Sequence, residues 1–278
     1  MSYHCPRTVD EALAALCVAD ARILAGGTDF YAALGDRPLN FPVVDITRID
    51  GLRAITPHEG GWRLGAATTW TDIVRAPLPP AFDGLKAAAR EVGAVQIQNT
   101  GTIAGNLCNA SPAADGVPAL LALGASIEVA GSGGLRTEPL SAFLTGVRQT
   151  SLAPGEMVTA ILIPPHGAAA RGAFVKLGAR RYLVISIAMA AAVLETENGH
   201  ISAARVAVGA CSAVAARLPA LEAALAGTLV ADAPCAVAAD HFADLAPIGD
   251  VRASAPFRME AALELVRRTL KSAGEVPS

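Results

Sequence analysis

Two short stretches carry the residues best suited to chemistry. Arg22, Ile23, Leu24 and Ala25 read as a strand that runs into Gly26, Gly27, Thr28 and Asp29. Glycines there let backbone N–H groups approach a phosphate with no Cβ in the way, and the Thr28 hydroxyl adds a donor. The second stretch is Gly101, Thr102, Ile103, Ala104, Gly105 and Asn106. Its small residues, hydroxyl and amide suit diphosphate oxygens or a polyol chain. Spacing alone also allows an ordinary tight turn at either place. Asp115 could accept from ligand hydroxyls, or simply complement a helix N-terminus.

Other chemistries lack their residues. There is no G-x-x-x-x-G-K-[ST] phosphate loop and no G-x-S-x-G nucleophile elbow. The Gly-Ser-Gly-Gly at 131–134 reads as a hairpin turn rather than a dinucleotide fingerprint. The five histidines show no metal-ligand spacing, so no metal site is expected. Cys5, Cys17, Cys108, Cys211 and Cys235 are scattered and never form C-x-x-C, against a disulfide framework or an iron–sulfur site in this chain. With a net charge of −3 and no long basic run, nucleic-acid binding is not expected. No basic and apolar leader and no apolar run of membrane length is visible. A cytoplasmic protein with reduced thiols is the expectation. Hydrophobic residues make up 53% of 278, enough for one large domain or two smaller ones, and charged residues only 17%. So weakly charged a surface is one that partner chains could cover.

The elements that must hold these stretches follow from periodicity. Thr8 to Glu11 is a capping box opening a helix with Val9, Leu13 and Leu16 on one face. Strands are expected at 22–25, 41–46 and 61–66, and a short helix at 84–92 ending at Gly93. Residues 96–106 read as a polar, glycine-bearing loop. Pro112 is expected to open a helix running through Leu123. A hairpin around 131–134 and a strand at 157–163 follow. The Pro- and Ala-rich stretch 164–171 marks a boundary. Beyond it, strands at 187–195 and 201–209 flank Asn198-Gly199, a type I′ hairpin signal. Helices follow around 218–225, 235–245 and from Pro256, the last with Met259, Leu263, Val266 and Leu270 on one face. Strands followed by helices read as an α+β domain.

At the two glycine-bearing stretches the sequence resembles the FAD-binding medium subunits of molybdopterin dehydrogenases, such as carbon monoxide dehydrogenase and the flavin portion of xanthine dehydrogenase. Ala-Gly-Gly-Thr-Asp at 25–29 is similar to the first flavin loop of that family. Gln-Ile-Gln-Asn-Thr-Gly-Thr-Ile-Ala-Gly-Asn at 96–106, then Ala-Ser-Pro-Ala-Ala-Asp at 110–115, resemble the second loop and its continuation. Val43 to Ile46, Leu64 to Thr69, Gly155 to Met157 and Phe174 to Leu177 also fit. So does Asp250 to Arg258, which resembles the signature of the family's C-terminal domain. Two departures stand out. Thr28-Asp29 replaces a histidine–serine pair found in some relatives, and Ala104 replaces a common glycine.

The resemblance implies an α+β chain: a two-part FAD-binding domain of the PCMH type at 1–168, then a small α+β C-terminal domain at 169–278. It implies non-covalent FAD. Residues 22–29, with Thr68, residues 101–106 and Cys108, would lie along the diphosphate and ribityl chain. Asp115 would hold a ribityl or ribose hydroxyl, and Val158 would offer backbone contacts near the flavin ring. Lys176 would place charge beside the ring, and Tyr182 would sit over its face. It further implies an iron–sulfur small subunit with 2Fe–2S clusters and a molybdopterin large subunit with the molybdenum cofactor, in a dimer of heterotrimers. Electrons would leave to NAD, a quinone or oxygen. Two rivals have distinct signatures. A stand-alone flavoenzyme needs its own substrate pocket with an acid–base group. A flavin-free assembly subunit would purify without flavin absorbance.

Overall fold

The computed structural model describes residues 2–275 of the chain. Its first part alternates strands and helices: β1 (Tyr3–His4), α1 (Val9–Leu16), β2 (Arg22–Leu24), α2 (Thr28–Leu34) and β3 (Val43–Asp45). β3 lies between the other two strands and runs parallel to both, with Val43 opposite Tyr3 on one side and Arg22 on the other. At the start of α1 the Thr8 hydroxyl accepts from the Glu11 N–H at 3.2 Å. The Glu11 carboxylate reaches back to the Arg7 N–H at 2.8 Å, one residue earlier than a capping box requires. Thr28 and Asp29 are not loop residues as expected. They form the first turn of α2, and the loop shrinks to residues 25–27. Small polar and acidic residues favour a helix start, so the sequence was compatible with both.

β4 (Ile55–His58) and β5 (Gly61–Gly65) make a hairpin. Five helices follow: α3 (Trp70–Arg75), α4 (Asp83–Glu91), α5 (Val95–Thr100), α6 (Ile103–Asn109) and α7 (Gly116–Ala122). Then come β6 (Ser126–Gly131), β7 (Gly134–Pro139), α8 (Leu140–Phe143), the small hairpin of β8 (Leu144–Gly146) and β9 (Gln149–Thr150), and β10 (Met157–Ile163). β10 inserts between β5 and β6, giving an antiparallel sheet of order β4-β5-β10-β6-β7. That central place explains its apolar sequence, since six of its seven residues are buried. Residues 96–106 are thus two short helices rather than a loop. The helix expected from Pro112 starts only at Gly116. Ala110 adopts φ +44 at the end of α6, and the chain then needs a turn, closed by the Ala114 N–H on the Ser111 carbonyl at 3.0 Å.

The last part is an antiparallel meander of β11 (Arg171–Leu177), β12 (Ala188–Glu197), β13 (His200–Gly209) and β14 (Ala216–Arg217), followed by α9 (Pro219–Leu225) and α10 (Ala255–Gly274). Asn198 and Gly199 have φ +49 and +79, as a type I′ turn demands. The alternation of β12 divides its residues between two cores. Ala188, Ala190, Ala192 and Leu194 pack with Ala262, Leu265 and Val266 of α10, whereas Ala191 and Val193 pack with Val117 and Leu120 of α7. Small side chains let helices approach both faces closely. The helix expected at 235–245 is instead two 3₁₀ turns, Val230–Ala236 and Ala239–Phe242. Pro234 inside the first removes a donor, and Val237 is extended between them. The buried face of α10 is Arg258, Ala262, Leu265, Val266, Thr269, Leu270 and Ala273; Met259 and Leu263 lie at its margin.

Candidate functional site

The end of β2 and the start of α6 face each other across a cleft of about 520 Å³, within the range of small-molecule and cofactor sites. Its placement follows from backbone pairing. Thr69 and Thr102 form an isolated antiparallel bridge. The N–H of Ile103 reaches the Thr68 carbonyl at 2.9 Å, and that of Ala104 reaches the Ala66 carbonyl at 3.3 Å. These bonds fix α6 against the end of β5. Thr68, buried behind the wall, is therefore a support for α6 and not part of the cleft surface.

Of the expected site residues, Arg22, Ile23, Ala25, Gly26, Gly27, Thr28 and Asp29 line one wall. Gly101, Thr102, Ala104, Gly105, Asn106 and Cys108 line the opposite one, and Val158 of β10 a third. Leu24 and Ile103 point into the cores instead. The two main walls are not equivalent. Among the described residues, the N–H groups of Thr28, Asp29 and Phe30 find no acceptor in the chain. Those of Ile103 to Asn106 are all taken, with Gly105 donating to the Thr102 hydroxyl at 3.1 Å. Free amide donors thus come from the first turn of α2, and the second stretch offers hydroxyl and amide side chains. Asn106 Oδ1 is buried with no partner.

Sequence reasoning missed several walls. Trp70, Val92 and Ile97 make an apolar end, and residues 152–156 cover the cleft ahead of β10. A signal was present in Pro154-Gly155-Glu156, where Gly155 has φ +81. Glu156 is held rigidly. Arg136 donates to it in a fork at 2.9 and 2.8 Å, the Ala153 N–H adds a third bond at 2.8 Å, and these hold its carboxyl down at about 2. Cys108 stands exposed on the α6 wall. Asn109, also on the wall, takes a hydrogen bond from Arg148 to its carbonyl at 3.1 Å.

Asp115, Lys176 and Tyr182 are not among the residues lining this cleft. Lys176 Nζ lies 2.7 Å from Asp115 Oδ2 and 3.3 Å from the Glu91 carbonyl, with both charged side chains nearly buried. The buried Ser186 hydroxyl donates to Asp115 Oδ1 at 2.6 Å. Tyr182 is exposed, with the Arg181 guanidinium 5.2 Å from its ring. No helix among the described residues is long and apolar enough to cross a membrane, and no group of three His, Cys, Asp or Glu there could hold a metal ion.

An open cleft with unsatisfied amides beside a glycine pair, hydroxyl and amide side chains opposite, and an apolar end defines a binder of a phosphate-bearing dinucleotide with a flat ring. Residues 1–166 match the family described as FAD binding domain in molybdopterin dehydrogenase, and residues 173–273 match the CO dehydrogenase flavoprotein C-terminal domain. The chain is 31% identical over 285 aligned residues to the xanthine dehydrogenase FAD-binding subunit of Escherichia coli O157:H7, covering 98% of this chain and 95% of that one. It is 32% identical to the nicotine 6-hydroxylase medium subunit of Paenarthrobacter nicotinovorans, covering 98% and 96%. Among solved structures it is similar to carbon monoxide dehydrogenase from Hydrogenophaga pseudoflava, with a TM-score of 0.89, 30% identity, and 98% and 96% of the two chains covered. The chain belongs to the molybdopterin dehydrogenase FAD-binding family: it is the FAD-binding subunit of an oxidoreductase of the molybdenum hydroxylase type. The expected fold class, family and cofactor agree with this.

Proposed function

We propose that the chain is an electron relay that takes electrons from an iron–sulfur subunit and delivers them to a separate acceptor, NAD, a quinone or oxygen. When bound, FAD accepts and releases electrons singly or in pairs, and the protein holds and tunes it. The amides of Thr28 to Phe30 and the Thr28 hydroxyl hold the diphosphate. Thr102 and Asn106 bind along the ribityl chain. Ala104 adds one methyl group to that wall. Val158 offers backbone groups where the β10 ladder shifts register between Val158 and Ala160. Val92, Ile97 and Trp70 give the ring an apolar, water-poor end.

One observation carries the relay reading. The ionisable side chains on the cleft walls are Arg22, Asp29, Cys108 and Glu156. Glu156 is tied up by Arg136, and Asp29 is exposed in the first turn of α2. Neither carboxylate is buried beside the apolar end as the acid–base group of a stand-alone flavoenzyme would be. Substrate oxidation then belongs to a molybdopterin large subunit. The assembly is a dimer of heterotrimers in the cytoplasm, a setting consistent with five unpaired cysteines. Residues 1–168 hold the flavin, and 169–278 form the C-terminal domain. Co-purification tests this. FAD in this chain, with molybdenum and iron confined to accompanying subunits, is the expected result. A chain that purifies alone with FAD and turns over a substrate would overturn it.

A further inference from the structure

Residues 151–156 join β9 to β10, and Leu152 to Glu156 line the cleft. The two ends of this segment sit in different cores. Leu152 packs on the core that holds Leu107 of the α6 wall. Met157, the residue after Glu156, packs with Ala12, Val44 and Ile46, the core against which Ile23 and Ala25 of the first wall also pack. The segment therefore crosses from the core behind one wall to the core behind the other. Its bend is closed by the Glu156 N–H on the Ala153 carbonyl at 3.1 Å, with Gly155 at φ +81.

One guanidinium holds both ends. Arg136 of β7 donates from Nε to Glu156 Oε1 at 2.9 Å and from a terminal nitrogen to Oε2 at 2.8 Å. The same terminal nitrogen reaches the Ser151 carbonyl at 3.5 Å. The other donates to Glu138, which also accepts from the Ser151 hydroxyl at 2.5 Å. Gly131 of β6 leaves room for this: a Cβ there would lie 2.9 Å from Glu156 Cγ. Arg136 itself does not line the cleft, and its side chain is 38% exposed. An ion pair so open to water adds little to global stability. What it fixes is the shape of the segment.

We infer that Arg136 is a positioning residue for the cofactor: it latches residues 151–156 across the cleft and so sets how slowly FAD leaves. The inference rests on FAD occupying this cleft. Local opening of a binding segment needs far less free energy than global unfolding. Opening this one breaks a fork between charged groups, the stronger kind of hydrogen bond. Removing the latch then speeds release and leaves the fold in place.

The test is made on the intact assembly. FAD release after dilution is followed by flavin fluorescence, and thermal unfolding is measured in excess FAD. Arg136→Ala is expected to release FAD about tenfold faster, with a melting point within about 3 °C of the parent. Arg136→Lys, a point charge that cannot fork, should fall between the two. Glu156→Gln should also speed release, and combining it with Arg136→Ala should add little, because both break one contact. Arg217→Ala removes a similar fork, to Glu222, from the C-terminal domain and should release FAD at the parent rate. Parent-rate release in both Arg136→Ala and Glu156→Gln overturns the inference. So does faster release that Arg217→Ala reproduces, or that a fallen melting point accompanies. Should Gly26→Val also keep its FAD, the placement of FAD in this cleft has failed along with it.

Discussion

Lys176→Met is expected to destabilise the protein by about 3–5 kcal/mol, the cost of removing one partner from a buried ion pair. The lysine ammonium and the Asp115 carboxylate are both nearly inaccessible and meet at 2.7 Å. Burial pushes the Asp115 carboxyl above the usual carboxylate range, and the Lys176 charge and the Lys176 and Ser186 hydrogen bonds oppose that push. Without Lys176 the opposition weakens and the carboxyl must take a proton to remain buried. The sign follows. A carboxyl whose folded pKa is raised favours the fold below its unfolded value, about 3.9, and loses that contribution as pH rises through the folded value. Urea denaturation of the variant should therefore show stability falling from about pH 4 upward, more steeply than in the unaltered protein. Asp115→Asn combined with Lys176→Met should recover part of the loss, because the uncompensated charge is gone and Ser186 keeps a partner. A Lys176→Met protein as stable as the parent at neutral pH would remove the structural role and restore a direct action on the flavin as the lysine's main duty.

Gly26→Val should come close to abolishing FAD retention. A Cβ at Gly26 would lie 1.9 Å from the Thr100 carbonyl oxygen and 2.9 Å from the Gly101 Cα. Both obstacles are backbone, so the side chain cannot be accommodated by a rotamer change. The loop must move away from the α5–α6 junction, and the two cleft walls part. Overpacking of this kind costs about 1–3 kcal/mol in the fold. Displaced binding groups should weaken retention about tenfold for each 1.4 kcal/mol lost. Gly27→Val should act through its φ of +74 and the Tyr31 ring 2.9 Å from the added Cβ. Gly133→Ala, with nothing within 4 Å, is the control. Flavin absorbance per mole of chain after desalting reads all three, and a Gly26→Val protein carrying a full complement of FAD would contradict the wall-to-wall geometry.

Much of the scaffold was legible from local chemistry. The Thr8 cap, the Asn198-Gly199 turn and the apolar run of β10 each have a short-range cause that the sequence displays. The two glycine stretches were found because phosphate contact and close backbone approach both demand missing side chains. What stayed hidden depends on distant partners. Whether Thr28 and Asp29 belong to a loop or a helix is settled by packing, because their residue types suit both. Lys176 pairs with a carboxylate 61 positions away, which no periodicity reveals. The α10 face is displaced toward Arg258 because that guanidinium must reach the Ile187 and Ala210 carbonyls and Asp250. Residues 152–156 join the site only when β10 is threaded through the middle of its sheet.

The most direct test of the relay is anaerobic. Substrate of the molybdopterin subunit is added to the intact assembly and to one lacking the iron–sulfur subunit, and flavin absorbance is followed in both. Bleaching in the intact assembly alone is the predicted result. Equal bleaching without the iron–sulfur subunit would contradict the account, because electrons would then reach this chain by another route.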